Sequence, residues 1–212
     1  EAGLKVLYHM MPGPPGSTEK KDLDSFHNIF TDERFKPDMI KIYPTLIIKG
    51  TQLFDLWNEG TYDPLTTEQA SHLIAHIKKD VPEWIRIQRI QRDIPAQEIC
   101  AGIKKSNLRQ YVEVEMQKHH LSCRCIRCRE IGHVSSEKTK KVTDHSLRCV
   151  HRQYKASGGD EFFISLEDTE QDVLVGYIRL RDIVHPYRSE LLSEPCMIIR
   201  ELKILGREAS LG

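Results

Sequence analysis

Three cysteines and a histidine are packed into the segment LSCRCIRCREIGH at residues 121–133. A Cys-x-Cys-x-x-Cys run can supply three thiolates to one metal ion from a single tight loop, and zinc takes four such ligands in a tetrahedron. The same thiolates also suit an iron–sulfur cluster or redox chemistry. The spacing leaves the fourth ligand open between His133 and the distant Cys100. The predicted ligands from the run itself are Cys123, Cys125 and Cys128.

Arginines alternate with these cysteines, at Arg124, Arg127 and Arg129. A positive charge nearby lowers the pKa of a thiol and therefore favours the thiolate that binds metal. Four protein ligands would close the coordination sphere, so we expect a structural metal rather than a catalytic one. The interleaved arginines would then present a positive surface around the closed site.

The middle of the chain is basic although the whole chain carries no net charge. Residues 84–152 hold fifteen Lys and Arg against seven Asp and Glu, a net charge of +8, and the segments on either side each carry −4. One interpretation is a solvated charged surface, and the sharper one is an anionic partner such as nucleic acid. Such side chains neutralise phosphates without reading sequence. The predicted RNA-contacting residues are Arg86, Arg89, Arg92, Lys104, Lys105, Arg109, Arg124, Arg127, Arg129, Lys138, Lys140 and Lys141.

Two polar residues of the segment KIYP, Lys41 and Tyr43, are candidates for a catalytic cavity. Residues two apart on a strand share one face, and neither side chain is readily buried without a partner. Side chains at the carboxyl ends of parallel strands point towards the usual active-site face of an α/β protein. Ordinary packing is the alternative explanation for both residues.

The elements that must position these residues follow three different patterns. In residues 1–94, β-branched apolar runs alternate with amphipathic helices, which favours an α/β unit with parallel strands. In residues 95–150, a helix with apolar residues every fourth position leads directly into the cysteines. In residues 151–212, short strands separated by turn signals predict an antiparallel sheet. We therefore predict boundaries near residues 95 and 150.

Composition limits the class of protein. The chain has 212 residues, 39% of them apolar, and only six cysteines, which is not a disulfide scaffold. No apolar run approaches the roughly 18 residues that span a bilayer. These features predict a cytoplasmic protein in which the clustered cysteines bind metal.

Five separated motifs, in this order, resemble the catalytic subunit of Elongator in its bacterial or archaeal form. They are YHMMPGPPGST, KIYPTLIIKGTQLFDLWNEGTY, RIQRIQRDIPAQEICAGIKKSNLRQ, CRCIRCREIG, and GGDEFFISLED followed by DVLVGYIRLR and IIRELKILG. The resemblance implies a radical-SAM barrel joined by a zinc-binding linker to a GNAT-type acetyltransferase domain. It implies modification of the tRNA wobble uridine at C5 to a carboxymethyl group, with acetyl-CoA, S-adenosylmethionine and a [4Fe–4S] cluster as cofactors.

The resemblance also assigns roles along this chain. Residues 1–94 resemble the later βα units of the barrel, 95–150 the zinc-binding linker and 151–212 the first acetyltransferase strands. Lys41 and Tyr43 would face the cavity for S-adenosylmethionine and substrate. Eukaryotic members lack part of the cysteine cluster together with the cysteine at position 100, which favours Cys100 as the fourth zinc ligand. The strand RELKI would lie beside acetyl-CoA through Glu201, Leu202, Lys203 and Ile204.

Two family motifs do not occur in this sequence, namely the Cys-x-x-x-Cys-x-x-Cys cluster motif and the glycine-rich pyrophosphate loop. We therefore expect an internal piece of a longer protein, in which neither cofactor site is complete, with a homodimer as a possible assembly. Two other functions stay open. One is a protein lysine acetyltransferase acting on basic tails, which the basic middle argues against. The other is a zinc-structured RNA-binding module without catalysis.

Overall fold

A computed structural model describes residues 3–91, 94–134, 142–183, 188–189 and 196–206. Among these residues, no helix is both long enough and apolar enough to cross a membrane. The elements run in the predicted order, with strands and helices alternating first and consecutive strands last.

A three-stranded parallel sheet forms the centre of the first half of the chain. Its strands are β1 (Leu7–Met10), β2 (Met39–Ile42) and β4 (Arg86–Ile90), with β2 in the middle. A two-residue strand β3 (Ile47–Ile48) pairs instead with β5 (Ile99–Ala101). The apolar run that starts at Met39 is therefore two strands rather than one, because it contains Pro44, which cannot donate a ladder hydrogen bond.

Helices α1 (Glu19–Thr31) and α3 (Thr67–Lys79) connect the parallel strands, with the shorter α2 (Gln52–Asn58) between them. The hydroxyl of Thr18 accepts the backbone N–H of Lys21 at the start of α1. Thr66 caps α3 in the same way and forms a reciprocal capping box with Gln69. Threonine caps of this kind fix where each helix begins.

Two helices carry the chain through the cysteine segment. Helix α4 (Leu108–Lys118) packs against α3 with Leu108, Val112 and Met116 buried, as their spacing predicts. The four-residue α5 (Ile126–Arg129) follows within the cysteine run. Short 3₁₀ turns lie at Ala96–Glu98 and Asp144–Ser146.

An antiparallel sheet of four consecutive strands forms the last part of the described chain. The strands are β6 (Leu147–Ala156), β7 (Gly159–Asp168), β8 (Val173–Asp182) and β9 (Met197–Ile204), each paired with the next. The predicted fold class, α/β with a C-terminal antiparallel sheet, is confirmed. The predicted boundaries at 94 and 150 stay predictions, although β6 begins within three residues of the second.

The cysteine segment joins two hydrophobic cores. The first core lies between the parallel sheet and helices α1, α3 and α4, and it includes Cys125. The second lies on the antiparallel sheet around Phe163 and Tyr177, and it includes Ile126. Cys125 and Ile126 are neighbours in the sequence, and each is fully buried in a different core. The cysteine loop is therefore covered by both halves of the molecule.

Buried ion pairs also connect the antiparallel sheet to the parallel sheet. Arg179 of β8 contacts Asp38, which immediately precedes β2, with 3.3 Å between Nη1 and Oδ1. Arg200 of β9 donates to Asp38 Oδ2 at 2.5 Å and to Glu161 Oε2 of β7 at 2.7 Å. All four side chains are almost entirely buried. A charge without a partner at such depth is costly, so these pairs fix how the two sheets meet.

Candidate metal centre and nucleic-acid interface

The sulfur atoms of Cys123, Cys125 and Cys128 lie within 4.8 Å of one another. Local backbone geometry produces this arrangement, because Cys125 occupies the N-cap of α5 and the Cys128 N–H donates to the Cys125 carbonyl at 3.0 Å. One helical turn therefore brings the last cysteine back beside the first two. The structure thus assembles three of the four predicted ligands.

The three thiols share their protons unequally. The thiols of Cys123 and Cys128 donate to the Cys125 sulfur, which holds the pKa of Cys125 well below its ordinary value. Hydrogen bonding to Cys125, with burial in addition, raises the pKa of Cys123. A thiolate held by two neighbouring sulfurs is the donor set that zinc prefers, and zinc would displace the shared protons. The residues present therefore fit a zinc ion.

A cavity of about 390 Å³ opens beside the sulfurs of Cys123 and Cys128. Its basic lining residues are Lys78 from α3, Arg109 from α4 and Arg127 from α5. Burial, with the charge of Arg127 in addition, lowers the pKa of Arg109. Cys128 and Cys125 act in the opposite direction on the pKa of Arg109. Part of the linker's positive charge therefore faces this cavity instead of the outer surface of the protein.

Lys78 lines this cavity beside the cysteines, and it was not among the residues predicted from the sequence. Its side chain is buried in the last turn of α3. The Cys123 thiol acts to lower the pKa of Cys128, but hydrogen bonding to Cys125 and burial outweigh it and raise that pKa, and the charge of Lys78 opposes the rise. The available signal was a lysine within the apolar face of α3, next to the buried Ile77.

The two candidates for the fourth ligand lie in different places. His133 lines the cavity together with Cys123 and Cys128. Cys100 lies in β5 and belongs neither to the three-sulfur group nor to the residues that line this cavity. His133 does not belong to the three-sulfur group either. The assignment of Cys100 stays a prediction, with His133 as the alternative that lines the same cavity.

Two of the interleaved arginines contact acidic residues on β7, in the turn before β8 and just before β4. The Arg129 guanidinium lies 2.9 Å from the Glu167 carboxylate, and both side chains are 1% exposed. Arg124 donates to Asp172 at 3.0 Å and pairs with Glu83. The prediction that Arg129 contacts RNA is corrected, because a buried guanidinium that satisfies a buried carboxylate does not reach a partner.

The remaining predicted RNA-contacting residues divide by exposure. Lys104 and Lys105 are exposed just before α4, and Lys105 donates to the Tyr111 hydroxyl at 2.8 Å. Arg89 is exposed on β4, and Arg86 is half-buried in an ion pair with Glu130 at 2.6 Å. Arg92, Lys138, Lys140 and Lys141 lie outside the described residues.

Lys41 and Tyr43 lie at the carboxyl end of the parallel sheet. Lys41 is in register with His9 of β1 and Arg89 of β4. Tyr43 follows β2, and its ring meets the His9 ring edge-on with 5.4 Å between centroids. Paired residues on neighbouring strands point to the same face of a sheet. His9, Lys41 and Arg89 therefore form a row of polar side chains across the three parallel strands, near their carboxyl ends. The catalytic role of Lys41 and Tyr43 stays a prediction.

The predicted acetyl-CoA strand is β9, at one edge of the antiparallel sheet. On its outer side no further strand is paired within the described residues, so backbone groups there can accept and donate hydrogen bonds. Leu202 and Ile204 are exposed, while Glu201 is held by Arg179 at 3.0 Å and by Lys5 at 2.7 Å. Lys203 is half-buried. An exposed edge with apolar neighbours suits an extended ligand such as pantetheine, and this assignment also stays a prediction.

Comparison with known proteins first identifies the class of the parallel unit. Residues 37–118 match the family model described as the Radical_SAM C-terminal domain. The match includes β2, α3, β4 and α4, and therefore runs past the predicted boundary at residue 94.

Other proteins are similar to this chain over its whole length. The chain is 45% identical to a tRNA uridine(34) acetyltransferase of Methanocaldococcus jannaschii, and the alignment covers 100% of this chain and 39% of that protein. The Dehalococcoides mccartyi protein of the same name is 45% identical, with 46% of its length covered. Elongator complex protein 3 of Saccharomyces cerevisiae is 39% identical over 97% of this chain and 37% of its own length.

A solved structure agrees with this similarity. The archaeal Methanocaldococcus infernus Elp3 with an N-terminal deletion superposes with a TM-score of 0.90 at 46% identity, covering 99% of this chain and 49% of that one. The predicted resemblance to the Elongator catalytic-subunit family is thereby confirmed. This chain spans about two fifths of the length of the curated relatives named above.

Proposed function

We propose that this chain is part of an enzyme that modifies the wobble uridine of tRNA at C5. The observation that carries the proposal is its similarity, along its whole length, to proteins named tRNA uridine(34) acetyltransferase. Acetyl-CoA would supply the two carbons of a carboxymethyl group, and S-adenosylmethionine with a [4Fe–4S] cluster would supply the radical chemistry. Among the described residues only one cysteine group is present, and its Cys-x-Cys-x-x-Cys spacing differs from that of the cluster motif.

The decisive experiment incubates the full-length protein with tRNA, acetyl-CoA and S-adenosylmethionine under reducing, anaerobic conditions. Mass spectrometry of the digested tRNA should show a carboxymethyl group on the wobble uridine. A basic peptide in place of tRNA tests the alternative lysine acetyltransferase. Acetylation of the peptide without modification of tRNA would contradict the proposal.

In this enzyme the exposed lysines before α4 would hold the tRNA by its phosphates. Lys104 and Lys105 are exposed in the basic segment, whereas Arg129 is used in a buried ion pair. The target base must leave its stack to reach a catalytic site, and anticodon loops present exposed bases. Backbone contacts from lysines would position the loop without selecting its sequence.

Replacing both lysines, Lys104→Glu and Lys105→Glu, should weaken tRNA binding and make it less dependent on salt. Each lost phosphate contact reduces the slope of log affinity against log salt by about 1, so the double variant should lose about 2. Filter binding at several salt concentrations measures both quantities. The matched control is Lys20→Glu with Lys49→Glu, which changes the same net charge at exposed positions outside the basic middle. Equal slopes in the two double variants would contradict the assignment.

The proposed enzyme also contains one structural zinc ion on the three-cysteine group, and its fourth ligand can be identified directly. With Cys100 as ligand, the Cys100→Ser variant of the purified protein should bind one zinc equivalent less than the wild type, while His133→Ala should bind as many as the wild type. The reverse result would establish His133, which lines the same cavity as Cys123 and Cys128. Metal analysis by mass spectrometry gives the stoichiometry, and an iron–sulfur cluster in place of zinc would appear as iron and sulfide.

A further inference from the structure

A second group of potential metal ligands lies on helices α3 and α4, away from the cysteines. Glu115 Oε1 is 3.1 Å from His72 Nδ1 and 2.9 Å from His119 Nε2. All three ligand atoms lie within 4.8 Å of one another. The group borders a surface cavity of about 440 Å³, which is lined by both His72 and Glu115.

The helix geometry explains why these side chains converge. Glu115 and His119 are four residues apart, so they lie on the same face of α4 and its C-terminal end. His72 is on α3, which packs against α4. His76 lies one turn further along α3, with its ring 4.6 Å from that of His72 and 6.3 Å from that of His119. Three imidazoles and one carboxylate thus meet between the two helices.

The distances suit a metal ion. Ligands about 2.1 Å from an ion are separated by about 3.0–3.4 Å in octahedral or tetrahedral geometry. The two separations from Glu115 Oε1 are already close to that range. The ligand atoms of the two histidines lie within 4.8 Å of one another, so only this separation must shorten for one ion to contact all three side chains. His76 is near enough to become a fourth ligand.

A histidine that binds a metal through one ring nitrogen usually donates a hydrogen bond from the other, and a carboxylate lies near the second nitrogen of His72. His72 would bind through Nδ1, and its other ring nitrogen, Nε2, lies 3.7 Å from Glu19 Oε1. A carboxylate at that nitrogen fixes the tautomer and orientation of the ring. Lys118 lies 3.7 Å from the other oxygen of Glu115, Oε2, and leaves Oε1 available.

We propose that His72, Glu115 and His119 form a binding site for a divalent transition-metal ion, with His76 as the nearest additional ligand. Imidazole with carboxylate is a donor set for zinc, cobalt, nickel and copper rather than for magnesium or calcium. The ion would join α3 to α4 at the end from which the chain enters the cysteine segment. It would be distinct from the ion on the three sulfurs, since no ligand is shared.

Equilibrium dialysis of the full-length protein against zinc tests the site. His119→Ala and His72→Ala should each bind one equivalent less than the wild type, and Glu19→Gln should bind the same equivalent about tenfold more weakly. The control is His27→Ala, an exposed histidine on α1. Cobalt at this site should show weak ligand-field bands without sulfur-to-cobalt charge transfer, whereas cobalt at the cysteines should show that transfer.

Thermal melting provides a second readout that does not depend on stoichiometry. Zinc should raise the Tm of the wild type and of His27→Ala, because an ion that binds only the folded state stabilises it. It should give a smaller increase in His119→Ala, whose Tm without metal reports whether the variant folds. Hydrogen bonds alone would leave all variants with the same zinc stoichiometry and the same zinc-induced shift, and that result would overturn the proposal.

Discussion

Arg179→Met should destabilise the chain by about 3–5 kcal/mol, as expected when one partner of a buried ion pair is removed. The Arg179 side chain is 1% exposed and contacts Asp38 and Glu201. It also donates to the Trp84 carbonyl at 2.5 Å. Methionine fills part of the space but leaves a buried carboxylate and a carbonyl with fewer partners. Urea unfolding in a Trp57→Phe background measures the change, because Trp84 then reports on the interface through its stacking on Tyr154.

The matched control for this experiment is Arg148→Met. Arg148 lies on β6 of the same sheet, is exposed, and donates only to nearby backbone carbonyls. Surface substitutions of this kind usually change stability by less than about 0.5 kcal/mol. A loss below about 1 kcal/mol for Arg179→Met, or equal losses for both variants, would show that the buried pairs do not hold the two sheets together.

Cys125→Ser should abolish zinc binding at the three-cysteine group. Cys125 is fully buried and is the sulfur that its neighbours stabilise as a thiolate. A serine hydroxyl is a far poorer zinc ligand, and binding free energy at a structural site is also folding free energy. Zinc content should fall by one equivalent, and a chelator should then lower the Tm much less than in the wild type, where it should lower it by roughly 10 °C.

Cys149→Ser serves as the control for Cys125→Ser. Cys149 is an exposed cysteine on β6, with its sulfur 3.4 Å from His151 Nε2 and outside the three-sulfur group. This variant should keep both its zinc and its response to the chelator. If Cys125→Ser kept as many zinc equivalents as the wild type, the three-cysteine group would not be a zinc site.

Local patterns were sufficient for much of the fold. The spacing of Leu108, Val112 and Met116 predicts the buried face of α4, and Thr18 and Thr66 mark the starts of their helices. The three-cysteine group was also predictable, because its members are brought together by one short turn. In each case the interacting residues are close in sequence, so periodicity and spacing contain the necessary information.

Contacts between distant segments were not predictable in the same way. Arg124 meets Asp172, forty-eight residues later, and Arg129 meets Glu167. The net charge of +8 in the middle of the sequence is therefore partly neutralised by the acidic segments on either side. A charge count registers the excess of lysine and arginine but not which of them the fold turns inwards.

The histidine group illustrates the same limit. The pairs His72 with His76 and Glu115 with His119 each have helical spacing, which is visible in the sequence. The two pairs meet only because α3 packs against α4. His72 and Glu115, which contact one another across the two helices, are forty-three residues apart in the sequence. Helical spacing indicates which side chains share a face, and only the tertiary structure indicates which faces meet.

The pairing of Asp38 with Arg179 and Arg200 also constrains protein engineering. A chimera that exchanged residues 147–206 for the equivalent sheet of a relative would preserve these contacts only if both arginines came with the donor sheet. An apolar replacement at either position would leave Asp38 buried with one cation instead of two. A successful exchange therefore requires an aspartate in the recipient and both arginines in the donor sheet. Compatible donor sequences can be selected by checking these three positions before any chimera is made.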